Sequence, residues 1–134
     1  MYLTVRQYSD YNESEILALY KSVGWKAYTD APEVLRRGFE HSLLVLAAYD
    51  SDRLIGILRA AGDGETIVFI QDLLVAPEHQ RKGVGTALLQ GLFSRFPSVR
   101  QIQLTADDNP GLDAFYRSQG FRRLAEIGCA AYMK

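Results

Sequence analysis

Apolar and polar residues alternate through residues 2–7, and a period of two predicts a first strand there. From 12 to 23 the period lengthens: Ile16, Leu17, Leu19, Tyr20 and Val23 fall on one helical face, with Asn12 or Ser14 available as cap. Asp30-Ala31-Pro32-Glu33 reads as a capping box opening a second helix through about residue 40. Strands are predicted over 42–49 and 53–60, separated by Asp50-Ser51-Asp52 and closed by Gly62-Asp63-Gly64. Residues 66–75 form a long central strand rich in β-branched and aromatic side chains, stopped by Pro77. A helix over 86–96, a strand over 99–106 and a short helix over 109–118 follow, the last closed by Gly120. Residues 121–127 and 129–133 read as two closing strands.

Composition narrows the class without naming a chemistry. With 134 residues, 48% hydrophobic and 23% charged, the chain is expected to fold as one domain, residues 1–134, around a real core. A net charge of −1 with no long run of one sign leaves no footprint for nucleic acid. The single cysteine, Cys129, excludes an intrachain disulfide and suits a reducing compartment. Cys129, His41 and His79 show no metal-ligand spacing. The first residues read as a strand and not as a signal segment, and no apolar run approaches a membrane span. A soluble, cytoplasmic protein is expected.

Chemistry concentrates in Gln80-Arg81-Lys82-Gly83-Val84-Gly85-Thr86-Ala87, between the central strand and the next helix. Gly83 and Gly85 lack Cβ atoms where a backbone has to turn sharply and approach a ligand closely. Amides entering a helix have no partner within it, and together with the dipole they bind anions, phosphates above all. Arg81 and Lys82 add two cations, and a pyrophosphate is the expected occupant. A Walker A loop is excluded because Lys82 precedes the glycines, and a dinucleotide fingerprint because its third glycine position is Leu88.

The pattern Gln80-x-x-Gly83-x-Gly85, after a strand ending Leu73-Leu74-Val75, resembles the acetyl-CoA loop of the GNAT N-acetyltransferase superfamily. Starting 24 residues after Gly85, the run from Asn109 through Tyr116 to Gly120-Phe121 resembles the Asn-x6-Tyr-x3-Gly-Phe helix of the same superfamily. Two motifs in that order, separated by one helix and one strand, are far more specific than either alone. Val23-Gly24-Trp25, the run from Leu58 to Gly64 and the run from Gln71 to Val75 are similar to a subgroup holding chloroplast-type serotonin acetyltransferases and small bacterial relatives.

The resemblance implies an α/β (α+β) GNAT fold: a mixed, twisted sheet of six to seven strands flanked by about four helices, in the order β-α-α-β-β-β-α-β-α-β-β. It implies direct transfer from acetyl-CoA, a co-substrate, to a primary amine of a small molecule, by a monomer or homodimer without metal. A lysine or amino terminus of a protein is the alternative acceptor, and a non-catalytic acyl-CoA-binding module the alternative class. The resemblance puts Gln80, Arg81, Lys82, Gly83, Val84, Gly85 and Thr86 at the pyrophosphate, and the backbone of Leu73, Leu74 and Val75 along the pantetheine arm and thioester. Asn109 either bonds that arm or caps its own helix, and both roles can coexist. Tyr116 is expected to protonate or hold the departing thiolate, and Asp72 to take or relay the proton of the acceptor amine. Trp25 and Tyr28 fall between the first two helices, where the acceptor is expected to bind, with core packing the alternative for Trp25.

Overall fold

The structure, a computed structural model, describes residues 1–134 and divides them into two compact units, Met1–Leu104 and Thr105–Lys134. The first holds β1 (Leu3–Gln7), α1 (Glu13–Ser22), α2 (Lys26–Thr29), α3 (Pro32–Glu40), β2 (Leu44–Asp50), β3 (Arg53–Gly62), β4 (Ile67–Val75), α4 (Val84–Arg95) and β5 (Gln101–Leu104). The second holds α5 (Pro110–Ser118) and a 3₁₀ turn over Leu124–Ile127.

Five strands lie in the order β1-β2-β3-β4-β5, antiparallel until β5, which runs parallel to β4. A parallel neighbour needs a crossover, and α4 supplies it. One sheet face packs Val45, Ala47, Ile57 and Leu74 against Ile16, Leu19 and Tyr20 of α1 and Leu35 and Phe39 of α3. The other face meets α4, where small residues allow close approach: a Cβ at Gly56 would lie 3.2 Å from Val84 and Leu88, and one at Gly91 would lie 3.0 Å from Leu46.

A register shift in β4 decides which face each of its residues serves. Arg59 pairs with Asp72 but Ala60 pairs with Ile70, so Gln71 is an additional residue on β4. Without it Ile70, Asp72 and Leu74 would share one face; the bulge leaves Ile70 on the α4 side and turns Asp72 and Leu74 toward α1 and α3. The bulge also ends the pairing with β5, which covers Ile67 to Ile70 only.

Several expectations are corrected. The sheet has five strands, not six to seven, because residues 121–127 and 129–133 form none. Strand-forming side chains make a strand only where a partner ladder receives their backbone. Here Glu126 accepts from the Arg123 backbone N–H at 3.2 Å and from Arg117 at 2.6 Å, a local closure that favours the turn over Leu124–Ile127. Five α-helices replace about four, since the single turn α2 forms between the first two predicted helices. The capping box at Asp30 does not form: Ala31 is the N-cap of α3, and Asp30 closes α2. No helix is long and apolar enough to cross a membrane, and no group of three or more His, Cys, Asp or Glu is arranged to hold a metal ion.

Candidate active site

The glycine loop turns through two left-handed residues into the head of α4. Gly83 is the N-cap of α4 at φ 85°, and Arg81 ahead of it is also left-handed at φ 63°. Nothing lies within 4 Å of the position a Gly83 Cβ would take, so one side of the loop is open. The first helical bond runs from Ala87 N–H to Gly83 O at 3.0 Å, and no side chain caps the helix. The amides of Val84 and Gly85 therefore enter α4 ahead of its hydrogen-bond ladder. Gly85 lies inside the first turn and not at a positive φ, so Gly83 alone carries the special conformation that the sequence assigned to both. Arg81 and Lys82 are exposed, and Val84 is buried under the turn.

Two side chains tie the loop to the strands. Gln80 donates from Nε2 to the Val75 carbonyl at 3.0 Å, joining the loop to the end of β4. His79, buried, places Nε2 3.2 Å from Asp50 Oδ2. Beyond the bulge, the outer edge of β4 from Gln71 through Leu73, Leu74 and Val75 has no strand beside it. Leu74 is buried and Leu73 and Val75 half-buried, so their side chains serve the walls while their backbone offers the edge.

Asp72 sits on the same face as the α1–α3 core, and its side chain is 1% exposed. Its carboxylate accepts three hydrogen bonds. Oδ2 takes the Tyr20 hydroxyl at 2.9 Å and Arg59 Nε at 2.8 Å, and Oδ1 takes the Tyr28 hydroxyl at 2.7 Å. Arg59 is its cross-strand neighbour, and α3 makes room for the guanidinium at Gly38, where a Cβ would lie 3.0 Å from Nη1. Burial opposes the Arg59 charge, but the adjacent Asp72 carboxylate outweighs it and pushes the guanidinium pKa up. Burial, and then the charge of Asp72, drives the Tyr20 phenol far above the ordinary range. Tyr28 is raised by burial first; a hydrogen bond from Gln71 works against that and the bond to Asp72 with it. Both phenols keep their protons at neutral pH.

Trp25 and Tyr28 are half-buried beside this network. Tyr20 stands edge-on to both, with ring centroids 5.9 and 5.3 Å away, and Trp25 and Tyr28 are 6.2 Å apart. Both pack against the core cluster while keeping part of their surface open.

In the second unit Asn109 caps α5, its Oδ1 accepting the Leu112 N–H at 2.8 Å. The side-chain amide NH2 is then the group it has to offer a ligand. Tyr116, further along the same helix, stacks edge-on with Phe115 at 5.1 Å and Phe121 at 5.8 Å. Burial alone raises its phenol pKa, so it too is protonated at neutral pH.

Within the first unit the fold thus joins Asp72, Tyr28 and Trp25 in one cluster, and joins Gln80 to Val75. Sequence reasoning missed the charge partner Arg59 and the inner phenol Tyr20. A signal existed for Arg59: it is the one charged residue inside the apolar stretch from Leu54 to Ala61. Nothing local marked Tyr20, whose spacing is that of an ordinary core residue.

The profile of the acetyltransferase (GNAT) family matches residues 7–121. An uncharacterized N-acetyltransferase, ycf52-like, from Prochlorococcus marinus is 30% identical over 113 residues, which are 80% of this chain and 61% of the relative. Serotonin N-acetyltransferase 2, chloroplastic, from Oryza sativa subsp. japonica is 37% identical over 95 residues, 66% of this chain and 46% of the relative. The chain spans about half to three fifths of the length of these curated relatives. A solved GNAT-family acetyltransferase from Streptococcus pneumoniae superposes with a TM-score of 0.89 at 33% identity, covering 98% of this chain and 96% of that one. The left-handed glycine turn at the head of α4, the broken edge of β4 and the capped helix bearing Tyr116 all lie within the matched span, and this chain belongs to the acetyltransferase (GNAT) family.

Proposed function

We propose that the protein transfers the acetyl group of acetyl-CoA directly to a primary amine of a small molecule. The observation that carries this reading is the join between β4 and α4. An unpaired strand edge leads into a loop whose left-handed Gly83 faces open space and whose following amides precede the first helical hydrogen bond. A pyrophosphate fits such a turn through N–H groups and the helix dipole, with Arg81 and Lys82 beside it. The backbone edge at Leu73 to Val75 suits an amide-bearing arm, and an N–H near Leu74 suits polarisation of a thioester carbonyl.

Tyr116, held protonated by burial, is the proposed donor or hydrogen-bond partner for the departing thiolate. Asp72 is the proposed base; with its side chain 1% exposed it acts on an amine through a neighbouring hydroxyl or a water, not by direct contact. Trp25 and Tyr28 present aromatic surface suited to an acceptor with an aromatic or alkyl body. The rice relative's name supports placing arylalkylamines among the first compounds to try.

The test is release of free CoA from acetyl-CoA across a panel of arylalkylamines, polyamines, aminoglycosides and lysine-bearing peptides. Turnover with small amines is expected. Turnover with peptides alone would move the acceptor to proteins, and tight acetyl-CoA binding without any turnover would leave a binding module.

A further inference from the structure

We infer that the Tyr28 hydroxyl is the group through which Asp72 meets the acceptor amine, with Arg59 and Tyr20 as positioning residues behind it. The inference rests on the acetyl-transfer reading above.

Three donors reach the Asp72 carboxylate, and they differ in how they face solvent. Tyr20 is fully buried and the Arg59 side chain is 11% exposed. Tyr28 is half-buried, and its hydroxyl also touches an exposed residue: Gln71 Nε2 donates to the Tyr28 oxygen at 3.2 Å. Tyr28 is therefore the member of the network that extends from the buried carboxylate to the surface. Gln71 is the bulged residue of β4, so the irregularity that turns Asp72 inward is also what leaves a donor beside Tyr28.

The polarity of this hydroxyl is set from behind. A phenol carries one proton, and the 2.7 Å bond to Asp72 Oδ1 commits it inward. The outward side of the Tyr28 oxygen then offers lone pairs alone, and it receives an N–H. The Gln71 amide marks where an N–H donor sits against that oxygen; an acceptor amine offers the same kind of donor. A buried carboxylate anchored by Arg59 keeps the hydroxyl from turning round, which gives the site a preference for N–H donors over hydrogen-bond acceptors.

The same arrangement moves a proton with every atom accounted for. As the amine nitrogen bonds to the acetyl carbonyl carbon, the C=O π pair moves onto oxygen, and the nitrogen becomes positive and its N–H acidic. That N–H bond breaks, leaving its electron pair on nitrogen, and the proton joins the Tyr28 oxygen. The original Tyr28 O–H breaks at the same time, its proton passing to Asp72 Oδ1. When the pair on the carbonyl oxygen re-forms C=O, the C–S bond breaks and CoA leaves with the bonding pair as a thiolate, for which Tyr116 is the donor proposed above. Nitrogen loses its positive charge, Asp72 its negative one, Tyr28 ends as it began and Arg59 is unchanged.

Tyr28→Phe and Tyr20→Phe form a matched test, since each removes one phenol donor from Asp72 and keeps a ring in place. Both variants are assayed for acetyl-CoA affinity, urea stability and the pH profile of kcat/KM, using the panel amine that the wild type turns over fastest. Expected for Tyr28→Phe are unchanged acetyl-CoA affinity, a fall in kcat/KM of roughly 10²-fold, the lower end for general acid–base work, and an acidic limb moved alkaline. Tyr20→Phe should lose stability without moving that limb. Equal limb shifts in both variants, or none in Tyr28→Phe, would overturn the inference while leaving acetyl transfer standing. A wild type that binds acetyl-CoA yet acetylates no amine would overturn both.

Discussion

Replacing Asp72 with Asn changes almost no volume, yet its cost to stability should be large. Asp72 accepts from Tyr20, Arg59 and Tyr28 at 2.9, 2.8 and 2.7 Å, and an amide has only one accepting oxygen. That oxygen can keep two of the three donors, and the third then faces an NH2 group. The Arg59 charge, 11% exposed and packed between the Phe39 and Tyr28 rings at 5.7 and 5.8 Å, loses its counter-ion with little water to replace it. Breaking a buried pair from one side costs about 3–5 kcal/mol. The Asn carbonyl retains part of the hydrogen bonding, so about 3 kcal/mol is expected. With an unfolding entropy of roughly 2.1 cal/mol/K per residue over 134 residues, that is a fall in Tm of roughly 10 °C. Urea unfolding followed by the single tryptophan, Trp25, reads the network directly because its ring lies 5.9 Å from that of Tyr20. Adding Arg59→Met to Asp72→Asn removes the orphaned charge and should recover at least about 1 kcal/mol, a coupling that a double-mutant cycle isolates. A loss below about 1 kcal/mol, the range of exposed pairs, or strict additivity of the two changes would refute the buried-pair argument.

Gly83→Val should fold, since open space surrounds the position, but at φ 85° it strains the turn and fills the approach to the loop amides. Acetyl-CoA affinity by calorimetry should fall more than tenfold, about 1.4 kcal/mol, and an unchanged Kd in a folded variant would refute the cradle. Tyr116→Phe should keep the Phe115 and Phe121 packing and lower kcat by roughly 10²-fold. The alkaline limb of the wild-type profile should lie above the ordinary phenol value of 10.0, because burial raises it, and a change in acetyl-CoA affinity alone would reassign Tyr116 to binding. Asp63 lies well below the usual carboxylate range because the Thr66 hydroxyl and then the amides of Glu65, Ile67 and Thr66 donate to it. A depressed folded pKa contributes stability that is complete above the unfolded value of 3.8 and is lost as pH falls toward the folded one. Asp63→Ala should therefore flatten the stability–pH curve below that value, and an unaltered acid slope would show that the turn does not depend on the charge.

Helix α1 was legible in the sequence, and of its two candidate caps, Asn12 and Ser14, it uses Asn12, whose Oδ1 accepts the Glu15 N–H at 3.2 Å. So were the turn at Asp63, the stop at Pro77 and the cap at Asn109. Each is a demand that a few consecutive residues place on their own backbone. Side chains that meet across the fold were not legible. Asp72 stood out as a carboxylate in an apolar strand, but its partners lie 13, 44 and 52 residues away in sequence. The closing strands failed for a related reason: alternation describes what a segment would bury if paired, and pairing is not a local property.

The sequence by itself determined the family, through two short motifs in a set order, and the place where a glycine turn leads into α4. Those features depend on residue type and spacing along one stretch of chain, which a sequence states directly. Tertiary structure alone decided that Asp72 is buried, that Arg59 balances its charge, and that the Tyr28 hydroxyl links it to the exposed Gln71. One added residue, Gln71, made that choice by turning Asp72 and Leu74 to the opposite face of the sheet from Ile70. Register is settled between strands, by the pairing of β4 with β3, and no pattern within β4 contains it.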